Sequence, residues 1–261
     1  MELRRLGKSD LMLSPIGMGC QQFCKGVGVI GRKKKNLNDN QIYDIVQASL
    51  NVGINWFDTA EAYGWGTSER SLRRALEHTL PKTYFKPAKS LNAFKNFSIT
   101  PIIMTKWFSR FRTSRSIIDT IDYRLEALGV DCIDLHQIHH PTFVSIKKEM
   151  RAMAKLVEMG KVRYIGVSNF NAAQMVTAYE ELAELGLPLV SNQICYNFNK
   201  RNAEEDNTLE IAKELEIGIV AYSPLDQGKL KRDALDWLTD KGIFALMGVS
   251  TSEQVYQNMN V

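Results

Sequence analysis

The stretch PIIMTKWFSRFRTSRSIIDTIDYRLEALGVDCIDLHQI, residues 101–138, reads as one strand–helix–strand unit. Pro101–Lys106 is an apolar run of strand length. Ser114–Leu128 then places Ile117, Ile121, Leu125 and Leu128 on one helical face, and Gly129 stops the helix. Cys132–Ile138 is strand-like again. Two strands joined through a helix imply a parallel crossover rather than a hairpin.

The same rhythm runs outward in both directions. Strands are expected at Ile16–Cys20, Ile54–Asp58, Arg163–Val167, Leu189–Gln193, Ile217–Tyr222 and Ile243–Gly248, which with the two above makes eight. Helices are expected at Asp39–Asn51, Ser68–His78, Ile146–Met159, Ala172–Leu185, Glu204–Leu215 and Lys231–Asp240. In the first of these Ile42, Ile45, Val46 and Leu50 form the buried stripe. Gly53, Gly160, Gly186 and Gly218 stand at helix-to-strand junctions, where a left-handed C-cap is expected. Glu2–Leu6 and Leu11–Leu13 flank Gly7-Lys8 and predict a small N-terminal β-hairpin. Eight alternations predict an α/β chain folded as a (β/α)8 TIM barrel, with residues 1–261 as a single barrel domain.

A doubly wound sheet is the competing arrangement. Its dinucleotide fingerprint is matched only by Gly26-Val27-Gly28 and Gly31, which several residues and a lysine run separate from the first helix. Two places break the rhythm. Thr79–Ser98 is long for a connection. The loop after the seventh strand, around Gln227–Arg232, and the tail ending at Val261 are short or missing.

Composition narrows the function. The hydrophobic fraction of 44% fills a core without staples, and the net charge of +4 is mild. Arg32-Lys33-Lys34-Lys35 reads as a solvated loop or a weak attractor of an anionic cofactor. No broad basic face with interleaved aromatics argues for nucleic acid. Cys20, Cys24, Cys132 and Cys195 form no paired metal motif and read as reduced thiols. No signal core or long apolar run is found, so a cytoplasmic protein without a membrane partner is expected.

In a barrel, reactive groups gather at the C-terminal ends of the strands. Alternation puts Ile54, Trp56 and Asp58 on one face, and Ile102, Met104 and Lys106 on one face. Asp58 and Lys106 therefore meet at one mouth, as a structural ion pair or as chemistry. Tyr63 follows Asp58 closely, and Gly64 and Gly66 permit the turns that bring it back. A phenol beside an ammonium is a general acid–base device, its pKa drawn down from about 10. Leu135, Gln137 and His139 share a face, while His136 and His140 point the other way. A metal on His136 and His140 lacks a third ligand, so no metal is expected. Trp65, Trp107 and Phe108 are candidate aromatic walls of a pocket.

These residues resemble the aldo-keto reductase superfamily, in its bacterial-type or potassium-channel β-subunit-like branch. The resemblance runs from Leu3 to Asn258. It rests on Asp58–Glu69 (Asp-Thr-Ala-x-x-Tyr-Gly-x-Gly-x-Ser-Glu), Met104–Trp107, Asp134–His139, Gly166–Phe170, Asn192-Gln193 and Ala221–Leu225, in that order. The resemblance implies a catalytic set of Asp58, Tyr63, Lys106 and His139, with Tyr63 giving a proton to a carbonyl that receives hydride from a nicotinamide. It implies that Ser168, Asn169 and Gln193 hold the carboxamide. Tyr222 would stack on the ring, with Ser223 and Leu225 in the same segment. Gly248, Ser250, Gln254 and Asn258 would meet the adenosine-phosphate end. Some branches carry a cation where Gln254 stands, and a Glu-Asn pair where Gln257-Asn258 stands. NADP(H) is therefore the expected cofactor, with NAD(H) the alternative and a small carbonyl compound the substrate. Two other readings are an NADP(H)-binding regulatory subunit with slow chemistry and a lyase using Lys106 as a Schiff-base nucleophile. Asp58 argues against the lyase, because a carboxylate beside the lysine keeps it charged.

Overall fold

A computed structural model describes residues 2–25, 37–80, 101–142 and 145–261. Parallel strands close into an eight-stranded barrel in the order β3 (Ile16–Gly19), β4 (Trp56–Asp58), β5 (Ile102–Trp107), β6 (Ile133–Ile138), β7 (Val162–Ser168), β8 (Leu189–Cys195), β9 (Gly218–Tyr222) and β10 (Phe244–Met247). β10 closes the ring on β3, with Ala245 opposite Ile16 and Met247 opposite Met18. All eight strands read from the sequence are present, shifted by no more than a few residues at their ends. The expected hairpin is β1 (Arg4–Arg5) paired antiparallel with β2 (Met12–Leu13).

The helices are α1 (Asp39–Asn51), α2 (Thr67–Thr79), α3 (Arg115–Asp119), α4 (Ile121–Leu128), α5 (Ile146–Glu158), α6 (Ala172–Glu184), α7 (Asn202–Glu205), α8 (Thr208–Glu214), α9 (Asp233–Asp240) and α10 (Ser252–Met259). Asn38 with Gln41, and Asn171 with Gln174, form reciprocal capping boxes that start α1 and α6. Two expected helices are broken. The one over residues 114–128 divides at Thr120, whose hydroxyl donates to Ser116 O at 2.7 Å and accepts from Arg112 at 3.2 Å. A hydroxyl that bonds the preceding turn competes with the helix ladder. The helix expected from Glu204 divides at Asn207, which is left-handed at φ 60°, and the Asp206 carboxylate caps Thr208 N at 3.0 Å. The last expected helix, Lys231–Asp240, begins at Asp233.

Two cores follow from strand alternation. Inside the barrel lie Trp56, Met104, Leu135, Val190, Val220, Phe244 and Leu246, together with Leu6, Leu11 and Leu13 of the hairpin. The hairpin thus plugs the N-terminal end of the barrel. Ile54, expected on the inward face, instead joins the outer core between strands and helices. Gly218 also departs from expectation: it opens β9, and Glu216 takes the left-handed cap at φ 56°. Gly218 is small for another reason, since a Cβ there would lie 2.6 Å from Leu6 Cδ1. The short loop after β9 is compressed, with Ser223, Asp226, Gln227 and Gly228 all at positive φ. The Gly26–Gly31 match, the lysine run and nearly all of Thr79–Ser98 lie outside the described residues. Among the described residues, no helix is long and apolar enough to cross a membrane.

Candidate active site

Asp58 ends β4 and Lys106 lies near the end of β5, so both reach the C-terminal mouth of the barrel, fully buried. The Lys106 ammonium donates to Asp58 Oδ2, and to Thr59 O at 3.0 Å. Asp58 Oδ1 accepts from two side-chain amides, Gln193 Nε2 at 3.0 Å and Gln137 Nε2 at 3.2 Å. A buried carboxylate is tolerated because a cation and these donors fill its lone pairs.

The loop after β4 carries Tyr63 over this pair. Its backbone is tied to β5, with Thr59 N on Met104 O at 2.9 Å and Glu61 N on Lys106 O at 3.1 Å. Gly64, Trp65 and Gly66 turn through successive left-handed conformations. At Gly64 a Cβ would sit 2.1 Å from Thr67 Oγ1, so the turn needs both the conformation and the missing side chain. Lys106 Nζ lies 5.3 Å from the Tyr63 ring centroid, and the His139 ring meets Tyr63 edge-on at 5.7 Å. All four residues expected to act together are therefore adjacent.

The electrostatics differ from expectation in one respect. The Tyr63 phenol is held above its ordinary value, first by burial and then by the Asp58 carboxylate. The downward pull expected of Lys106, which is paired with Asp58, does not prevail over burial and the carboxylate. The phenol therefore keeps its proton at neutral pH. His139 is pushed well below the usual imidazole range by burial, by Lys106 and by His140. It is neutral, and its buried Nδ1 has no partner among the described residues. His140 does not point away as alternation implied, because β6 ends at Ile138. Beyond the strand its ring stacks on His139 at 4.8 Å. No group of three metal-ligating side chains occurs among the described residues.

The residues expected to hold a carboxamide lie beside His139. Asn169 is left-handed at φ 63°. Its Nδ2 donates to His139 O at 2.9 Å, and its Oδ1 accepts from Tyr222 OH at 2.9 Å. Ser168 Oγ donates to Gln193 O at 2.8 Å. Ser168, Asn169, Gln193 and Tyr222 are thus brought into one hydrogen-bonded cluster reaching Asp58.

An Aldo/keto reductase family model matches residues 22–234. The chain belongs to this family. Among curated relatives, it is 30% identical over 254 residues to a putative aryl-alcohol dehydrogenase of Saccharomyces cerevisiae, covering 91% of this chain and 71% of that protein. It is 29% identical to an aldo-keto reductase of Bacillus subtilis, over 93% of this chain and 67% of that one. It is 30% identical to the versiconal hemiacetal acetate reductase of Aspergillus parasiticus, over 97% and 77%. Among solved structures, a thermostable aldo-keto reductase superposes with TM-score 0.81 at 23% identity, covering 100% of this chain and 93% of that one. The glycerol dehydrogenase of Gluconobacter oxydans gives 0.78 at 24%, covering 100% and 90%. The fold is that of the aldo/keto reductases, and membership supports oxidoreductase activity on carbonyl groups with a nicotinamide cofactor.

In this aldo/keto reductase the residues expected at the adenosine-phosphate end lie on α10 and just before it. Thr251 caps α10 by accepting from Gln254 N, and Gln254 Oε1 accepts from Ser250 N at 2.7 Å. Ser250 and Gln254, both expected at the phosphate, are therefore bonded to each other. Gly248 lies against Gln22, whose Nε2 would be 2.9 Å from a Cβ there. Asn258 Nδ2 rests 3.2 Å from Met247 Sδ, and Arg232 donates to Asn258 O at 3.2 Å. Leu225 is half-buried against the outer core. The donor set fits an extended nicotinamide dinucleotide: amide and hydroxyl groups at one end, a helix N-terminus at the other.

Of the candidate aromatic walls, Trp65 and Phe108 stand at the mouth, edge to face at 5.8 Å, with Phe108 6.3 Å from His139. Trp107 does not. It faces outward, buried in the outer core, with Nε1 on Ser116 Oγ at 3.2 Å. Alternation already implied this, since Lys106 faces inward. Sequence reasoning missed a buried ion network under the Tyr63 loop. Arg112 pairs with Glu61 at 2.7 Å, and Arg124 pairs with Glu69 at 3.0 Å. Thr105 donates to Glu69 at 2.7 Å, and Glu61 also accepts from Phe108 N at 3.1 Å. Glu61 and Glu69 lie in the quoted motif, but nothing in the sequence pairs them with arginines far along the chain.

Proposed function

We propose that this chain, acting as one barrel unit, reduces aldehydes or ketones to alcohols with NADPH, and that Tyr63 is the general acid. The observation that carries the reading is the convergence of a protonated phenol, a neutral imidazole and the Lys106–Asp58 pair at one rim. NADPH, when bound, supplies the hydride to the carbonyl carbon. Tyr63 gives its proton to the carbonyl oxygen, so one hydride and one proton together make the alcohol. Lys106, held by Asp58, stabilises the phenolate left behind. His139, uncharged, orients the carbonyl oxygen by hydrogen bonding and steadies charge building on it. Ser168, Asn169 and Gln193 orient the carboxamide, and Tyr222, fixed by Asn169, supports the ring.

Supporting NADP(H) are the hydroxyls of Ser250, Thr251 and Ser252 around the start of α10, where backbone N–H groups favour a phosphate. Gln254 supplies an amide in place of a cation there, and NADH is the comparison to make.

A panel of aldehydes and ketones, followed by cofactor absorbance with NADPH and NADH side by side, tests the function. Turnover with NADPH is expected. Tyr63→Phe should leave NADPH affinity within about twofold and lower turnover by about 10²–10⁴, the usual worth of a positioned acid. Undiminished turnover removes Tyr63 from the role. Tight NADPH binding without turnover on any carbonyl favours the regulatory-subunit reading.

A further inference from the structure

The central carboxylate has a partner that the catalytic set does not name. Gln137 is fully buried on β6, in register with Lys106 on one side and Gly166 on the other. Its Nε2 donates to Asp58 Oδ1 at 3.2 Å, on the carboxylate oxygen opposite the one that accepts from Lys106. Space for this side chain is provided by Gly166, where a Cβ would stand 3.0 Å from Gln137 Cγ and 2.4 Å from Ser191 Oγ. The interior at this level is otherwise apolar below, with Met104 and Leu135 one layer down. A polar amide placed there is expensive unless it bonds; its Nε2 bonds Asp58, while its Oε1 has no partner among the described residues.

The geometry points to Gln137 as a positioning residue for the reaction: with Gln193 it pins Asp58 Oδ1, so that Oδ2 stays aimed at Lys106 and Lys106 stays beneath the Tyr63 ring. The two amides divide the task. Gln193 also belongs to the carboxamide corner and is shared with the cofactor. Gln137 is not part of that corner, so it holds the carboxylate throughout the cycle. Without it, Asp58 turns about its side-chain bond and the ammonium follows. The inference rests on the reading of Asp58, Lys106 and Tyr63 as the reductase site.

The test compares Gln137→Met, which keeps length and loses the donor, with Gln137→Glu, which sets a second carboxylate against Asp58. Gln137→Met should lower kcat about ten- to a hundredfold, as expected for a lost hydrogen bond to a charged group. NADPH Kd and carbonyl KM should stay within about twofold, and the pH profile of kcat should change shape. Gln137→Glu should lose more. A merely structural role would lower the melting temperature and leave the kcat profile unmoved.

A second readout does not depend on turnover. The ¹H–¹⁵N signal of the Lys106 ammonium, identified by its loss in Lys106→Met, reports the hydrogen bonds around Nζ. It should shift or broaden in Gln137→Met. An ammonium signal unmoved by Gln137→Met overturns the inference whether or not the wild type reduces a carbonyl. Absence of turnover in the wild type, with the signal moved, overturns only the reductase reading.

Discussion

His136 and His139 leave the same short stretch of β6 with different fates. His139 reaches the mouth, whereas His136 is fully buried among the outer groups, with Arg124 nearby. Burial pushes the His136 imidazole down to about 4. A histidine whose folded value lies below its unfolded one contributes stability above the unfolded value, near 6.5, and loses it as pH falls toward 4. His136→Gln should therefore flatten the acid limb of stability. The wild type should lose roughly 2–3 kcal/mol more than the variant between pH 7 and pH 4. Urea unfolding at both pH values checks this, and parallel curves for the two proteins would refute it. The sequence already separated these two histidines by strand period. It also set His140 on the face opposite His139, and that expectation failed, because period applies only while the strand lasts and β6 ends at Ile138.

The N-terminal hairpin is the element whose role is least visible in its own residues. It contributes Leu6, Leu11 and Leu13 to the barrel interior, and the chain makes room for it at Gly7 and Gly218. A Cβ on Gly7 would lie 2.3 Å from Val190 O, and Gly7 is left-handed at φ 49°. Gly218→Val should press on Leu6 and destabilise the protein by about 1–3 kcal/mol, the usual cost of overpacking. NADPH affinity should hold, since the plug closes the end opposite the mouth. A melt with parallel cofactor titration reads both, and an unchanged melting temperature would disprove the plug contact. At this scale the strands and most helices were legible, because period and caps are local properties. The breaks at Thr120 and Asn207 were not, because each depends on a side chain choosing a local partner over the helix ladder.

Across the molecule, the Glu69–Arg124 pair and Thr105 tie α2, α4 and β5 together beneath the Tyr63 loop. Burial raises the Glu69 carboxyl to about 7 despite Arg124 and Thr105, which act to lower it. An acid held above its unfolded value favours the fold while protonated, and that advantage is lost as pH rises from about 4.5 through 7. Glu69→Gln should accordingly gain on the wild type at pH 8 relative to pH 5, by roughly 1–3 kcal/mol. Thermal melts at the two values decide it, and a variant that loses ground at pH 8 contradicts the sign. The sequence by itself determined the eightfold alternation, the plugging hairpin's existence and the inward face of Asp58, Lys106 and Gln137. Each follows from periodicity and turn residues acting over a few positions. Only the tertiary structure decided how the charges balance: that Lys106 is taken up by Asp58, that two amides complete the carboxylate, and that the phenol keeps its proton. Those outcomes come from burial and from partners on different strands, and desolvation is a property of the closed barrel rather than of any segment of it.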